Sequence, residues 1–136
     1  MVNAWNPADL DDMALPPCHY GFQVYINDGV MDLMWQQRSV DIFLGLPYDI
    51  AMYGLLLHML AKGNGYKPGQ LIGQLGDCHL YNNHLEQAKT QLTRKPFASP
   101  QIIIKRKPDD IFLYKYEDFE LINYKAHEHI KAAVAI

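Results

Sequence analysis

The tripeptide Asn27-Asp28-Gly29 constrains the fold of this chain more than any other stretch. Asp-Gly supplies the positive φ angles that a tight hairpin turn needs. It lies between two strand-like runs, His19 to Ile26 and Val30 to Arg38, so a β-hairpin is expected there.

Other elements fall around that hairpin. Val2 to Trp5 reads as a short strand, and Pro16-Pro17 as a turn before His19. Pro47 suits a first helical position. Ile50, Tyr53, Gly54, Leu57, Leu60 and Ala61 follow at helical spacing, and Gly63-Asn64-Gly65 ends the helix. Leu71 to Leu75 reads as a short strand. Asn82 or Asn83 is expected to cap a second helix running to about Arg94, with Pro96 past its end. Ile102-Ile103-Ile104 is a candidate buried strand, and Asp118 to Tyr124 a strand or turn. Strands dominate with two main helices among them, which predicts an α+β fold.

The 136 residues, 49% apolar and 20% charged, are the size and composition of one soluble globular domain. A formal net charge of -3 argues against a general nucleic-acid or membrane-surface binder. The apolar-rich stretch Ile50 to Ala61 contains His58 and is too short to span a bilayer. Met1 to Trp5 lacks the basic and apolar regions of a signal peptide. With only Cys18 and Cys78, no disulfide framework is expected and a reducing cytoplasm fits best.

Two clusters carry candidate chemistry. Cys18 follows Leu15-Pro16-Pro17, where two prolines stiffen its approach to a strand. It acts as a nucleophile only as a thiolate, which a nearby arginine would favour; the alternative is an inert buried cysteine. In Gln36-Gln37-Arg38-Ser39-Val40-Asp41, Arg38 and Ser39 offer a fork of N–H donors and a hydroxyl, suited to a phosphate monoester. The alternative there is a strand-end arginine paired with Asp41. Leu44-Gly45-Leu46-Pro47 lets backbone approach a partner closely, without the glycine spacing of a phosphate loop.

The stretch Asp77-Cys78-His79-Leu80-Tyr81-Asn82-Asn83-His84 invites a metal reading. Adjacent strand residues point to opposite faces, however, and no second cluster has zinc spacing, so no metal is expected. His127 and His129 read as solvated loop residues, and Lys105-Arg106-Lys107 as a solvated edge.

Together these segments resemble thymidylate synthase over essentially the whole chain. The resemblance rests on Ala4-Trp5-Asn6, Met13 to His19, Gln37 to Asp41 with Leu44 to Pro47, Gly76 to Tyr81 with Asn83-His84, and the tail Lys131 to Ile136. It implies that residues 1–136 are the carboxy-terminal part of a single catalytic domain, truncated at the amino terminus, with a mixed, mostly antiparallel sheet. By the same resemblance Cys18 is the nucleophile that adds to C6 of the pyrimidine. Arg38 and Ser39 hold the phosphate, and His79 and Tyr81 hydrogen-bond the sugar hydroxyl. Asp41, Leu44 and Gly45 line the folate, and the tail ending at Ile136 closes over it. The co-substrate implied is 5,10-methylenetetrahydrofolate, the substrate a pyrimidine deoxynucleoside monophosphate (dUMP going to dTMP), and the full-length assembly a homodimer.

Two departures qualify this resemblance. Asp49 stands where thymidylate synthases usually carry asparagine, at the residue that reads the base. An ionised aspartate only accepts hydrogen bonds, so it lacks a donor for uracil O4 and suits the amino group of cytosine. The related dCMP hydroxymethylases carry aspartate there, whereas the apolar tail resembles methyl-forming synthases. The alternative is that Asp49 only caps its helix. The second departure is length, since family members are roughly twice as long. The expectation is that this chain alone turns over little or not at all. An inactive module that binds nucleotide or pairs with another subunit is the rival reading.

Overall fold

A computed structural model describes residues 1–134. The expected hairpin joins β2 (His19–Asn27) to β3 (Val30–Asp41), antiparallel, with Asn27 opposite Val30. Asp28 and Gly29 both adopt positive φ, 48° and 77°, so the turn matches the right-handed twist of the strands. The two-residue strand β1 (Val2–Asn3) pairs antiparallel with the start of β2.

The third pairing is parallel. Chain leaving β3 forms helix α1 (Leu46–Asn64) and returns as β4 (Lys67–His79), which runs beside β3 from Val30 opposite Lys67 to Asp41 opposite His79. Strand order is β1-β2-β3-β4, a mixed sheet containing a β-α-β unit. β4 is much longer than the expected Leu71 to Leu75. Pro68, Gly69, Gly73 and Gly76 break its apolar pattern, yet each has a place in the sheet. Proline is tolerated because β4 is an edge strand. Gly73 lies opposite Trp35, where a Cβ would come within 2.6 Å of the indole, so only glycine lets that ring lie across the strand.

Alternation along β3 buries Met31, Leu33 and Trp35 against Tyr53, Leu57 and Ala61 of α1. Each fully buried aliphatic side chain in this core contributes about 1.5–3 kcal/mol. The opposite face of the sheet has no helix on it among the described residues, leaving Tyr25 and Ile72 exposed there.

Beyond β4, Asn82–His84 form a 3-10 turn leading into α2 (Leu85–Leu92). Neither asparagine caps α2 with its side chain. The Asn83 amide is turned instead to the carbonyl of Ala133. β5 (Gln101–Ile104) and β6 (Phe119–Ile122) pair antiparallel as a separate two-stranded sheet. Only part of β5 is buried, since Ile104 packs inward while Ile103 stays 42% exposed. The fold is α+β, as expected. Among the described residues no helix is long and apolar enough to cross a membrane.

Candidate functional site

Cys18 sits immediately before β2, half-buried and not disulfide-bonded. Its approach is fixed by Arg38. The Arg38 backbone N–H donates to Cys18 O at 2.9 Å, its Nε to Pro17 O at 3.0 Å and its Nη2 to Pro16 O at 2.6 Å. The prolines supply carbonyl acceptors and no N–H of their own. Arg38 is therefore not paired with Asp41. Among the described residues two of its five side-chain N–H groups are used, and three remain open as donors.

The next residue along, His19, reaches Asp49 in the first turn of α1, with Nε2 3.2 Å from Oδ1. The other carboxylate oxygen accepts from Gln37 Nε2 at 2.9 Å. Gln37 is itself locked. The Trp35 indole can only donate, and it donates to Gln37 Oε1 at 3.0 Å. The amide nitrogen must then face Asp49 and Ser39 O, 3.1 Å away. Tyr53 completes the base of the cluster, stacked on Trp35 at 5.1 Å and tilted against His19 at 5.5 Å. Burial pushes the Tyr53 phenol above its ordinary value, and the charge of Asp49 adds to the push. Asp49 is thus engaged across the site rather than as a side-chain cap of α1.

No motif in the sequence marks a role for Gln37, His19 or Trp35. Their signal was present as alternation: Trp35 and Gln37 are on the buried face of β3, and a buried glutamine must find partners.

Ser39, His79 and Tyr81 line an open recess of about 380 Å³ together with Asp77, Leu80 and Asn82. His79 and Tyr81 meet edge-to-face at 4.8 Å. Asp77 Oδ1 approaches His79 Nδ1 at 3.5 Å, too poorly formed for a hydrogen bond, and Nδ1 is left without a hydrogen-bond partner among the described residues. Cys78, on the opposite face of β4, is exposed. A second recess, of about 460 Å³ beside His58, Lys62 and Ile104, contains none of the candidate residues.

The turn after β3 is built by Asp41. Its Oδ1 accepts from the Phe43 and Leu44 N–H groups at 3.0 and 3.4 Å, and its carbonyl accepts from Gly45 N at 3.1 Å. Oδ2 has no hydrogen-bond partner among the described residues, leaving an acceptor on a half-buried side chain. Ile136, the remaining predicted folate residue, lies outside the described residues. Among the described residues no three His, Cys, Asp or Glu side chains gather as a metal site.

The family model for thymidylate synthase matches residues 1–136. The chain belongs to the thymidylate synthase family. Members of that family transfer a methyl group to pyrimidine C5 with methylenetetrahydrofolate as co-substrate, which supports a function of this general type.

Proposed function

We propose that this member of the thymidylate synthase family converts dUMP to dTMP through a covalent bond between Cys18 Sγ and pyrimidine C6. The observation that carries the reading is a single connected set of contacts. Arg38 holds the approach to Cys18, while the neighbour of Cys18, His19, touches Asp49. In this reading Cys18 is the nucleophile, Arg38 the hydrogen-bond donor to the phosphate and Asp49 the base reader, and the contacts among them support a shared site.

In this reading the three remaining Arg38 N–H groups and the Ser39 hydroxyl take the phosphate. His79 and Tyr81 hold the sugar hydroxyl at the adjacent recess. Sγ attack on C6 moves the C5–C6 electron pair to C5, which becomes the nucleophile for the one-carbon unit. The bound folate supplies that unit and the hydride that completes the methyl group. Asp41, Leu44 and Gly45 form its wall. Loss of the C5 proton breaks the bond between the one-carbon unit and the folate nitrogen, and hydride from the tetrahydrofolate so released completes the methyl group as Sγ leaves, giving dTMP and dihydrofolate. A second copy of the chain is placed on the uncovered sheet face, with the same patch on both subunits, and the assembly is cytoplasmic.

A second reading is favoured by Asp49, whose carboxylate is held as an acceptor by Gln37. In that reading the substrate is dCMP, and the product its 5-methyl or 5-hydroxymethyl derivative. Full pairing then needs one proton on cytosine N3 or on Asp49.

Calorimetric binding of dUMP and dCMP to the wild-type chain and to Asp49→Asn separates the two. A dUMP preference in both proteins supports thymidylate formation, and a dCMP preference that reverses in Asp49→Asn moves the substrate to cytidylate. Incubation with 5-fluoro-dUMP and methylenetetrahydrofolate tests the chemistry itself, because fluorine cannot leave C5 as a proton does. A trapped adduct on Cys18, absent in Cys18→Ser, is expected. Nucleotide binding without an adduct would instead point to an inactive binding module.

A further inference from the structure

The segment from Asn123 to Val134 contains no helix or strand, yet it is pinned to α2 at both ends of that helix. Past the carboxy-terminal end of α2, Arg94 Nη1 donates to Glu128 O at 2.7 Å and His127 Nε2 meets Lys95 O at 2.8 Å. The His127 ring also stacks on Phe97 at 4.5 Å, so this exposed histidine is tethered rather than freely solvated. At the amino-terminal end, Asn83 Nδ2 and His84 Nε2 converge on Ala133 O, at 3.2 and 2.7 Å. The tail therefore doubles back along α2 as a strap.

The two pins differ in kind. Arg94 and His127 act at the surface, whereas His84 is 0% exposed. A carbonyl only accepts, so His84 Nε2 carries the proton. Nδ1 is then a bare acceptor, buried without a hydrogen-bond partner among the described residues. A side chain needed only for packing would be better without these nitrogens, since an unmatched buried polar atom costs stability. The hydrogen bond that His84 does make goes to the tail. Its ring also touches both sides of the candidate site, Tyr81 edge-on at 5.9 Å and Phe43, in the Asp41–Gly45 turn, at 5.5 Å.

We infer that His84 is a positioning residue: it latches the tail at Ala133 and registers that latch against the nucleotide wall at Tyr81 and the folate wall at Phe43. The inference rests on the reading that the tail closes over bound folate. It assigns His84 no contact with substrate.

The test is carboxypeptidase digestion of the full chain, followed by mass spectrometry, first without ligands. His84→Phe keeps a ring and removes the donor, while His84→Gln returns an amide donor near the place of Nε2. Digestion past the pin follows the population of the opened tail, so removal of Ala133 and Ala132 is expected to be about tenfold faster in His84→Phe. In His84→Gln it should stay within about twofold of wild type. Equal rates in wild type and His84→Phe would overturn the latch. Should His84→Phe fail to fold, Asn83→Ala at an exposed position removes the second donor and is expected to accelerate digestion about threefold. No acceleration there overturns the latch as well.

A second arm adds dUMP and methylenetetrahydrofolate. Slower digestion in wild type, but not in His84→Phe, supports both latch and closure. A persisting gap between the two proteins with no protection by ligands counts against folate closure while the latch stands.

Discussion

At the scale of single residues, orientation decides more than proximity. A glutamine amide can face either way, but the donor-only indole of Trp35 leaves Gln37 one choice, and that choice presents an N–H to Asp49. Gln37→Leu strands the indole N–H and one carboxylate oxygen together. We expect a loss of about 2 kcal/mol or more in urea unfolding, because each unmatched buried group costs about 1–3 kcal/mol. A variant that unfolds with the wild-type midpoint would show that the clamp contributes nothing. Arg38 makes a similar point. Arg38→Lys keeps a positive charge but cannot span the Pro16 and Pro17 carbonyls with a fork. Nucleotide should still bind, while adduct formation at Cys18 slows on the order of a hundredfold through misplacement of the thiol. Rapid quench with mass detection measures both rates, and undiminished adduct formation would remove Arg38 from any role in aiming Cys18.

At the scale of elements, the parallel pairing of β3 with β4 sets the geometry. It requires a crossover, which α1 provides, and α1 brings Asp49 over the buried face of β3. The joint is tight at Gly73, opposite Trp35. In Gly73→Ala the new methyl meets the indole and forces a shift worth about 1–3 kcal/mol. Because Trp35 also orients Gln37, the same substitution should weaken discrimination between dUMP and dCMP. Calorimetry of the two nucleotides together with thermal melting checks both consequences. Unchanged discrimination despite lost stability would separate the core from the proposed base-reading role of Asp49.

For the whole molecule, acid should destabilise in two stages. Burial holds the His58 imidazole below its ordinary value of 6.5, so below that pH the unfolded chain takes up a proton that the folded chain refuses. Stability therefore falls as pH drops through 6.5 and levels once His58 charges in the folded state. The hydrogen bond from Arg106 holds the Asp118 carboxyl below its ordinary 3.8. Its contribution is present above that pH and is lost as pH falls through the lower folded value. Urea melts from pH 7 to 3 should show the first stage vanish in His58→Gln and the second in Asp118→Asn. A single transition shared by all three proteins would contradict this assignment. Association is the other whole-molecule property. Tyr25 and Ile72 share the sheet face opposite α1. Tyr25→Lys with Ile72→Lys should shift sedimentation toward monomer, and an unchanged distribution would place any interface elsewhere.

Local chemistry made much of this protein legible from its sequence. Asp28-Gly29 fixed the hairpin because few residue pairs accept two positive φ angles. The spacing from Ile50 to Ala61 marked α1 because one apolar stripe must face a core. The Cys18 and Arg38-Ser39 clusters were legible as reactive residue types in unusual company. What sequence could not reach was non-local. β4 hid behind its glycines, and the reason for Gly73 is the indole of Trp35, 38 positions earlier. Asn83 looked like a helix cap, because a local partner is the default for an asparagine before a helix; its actual partner is Ala133. Whether Asp49 caps its helix or reaches across the site depended on where Gln37 and His19 lay after folding. Backbone conformation is set by neighbours in the chain, whereas the partners of a buried polar group are set by whichever elements the core brings together.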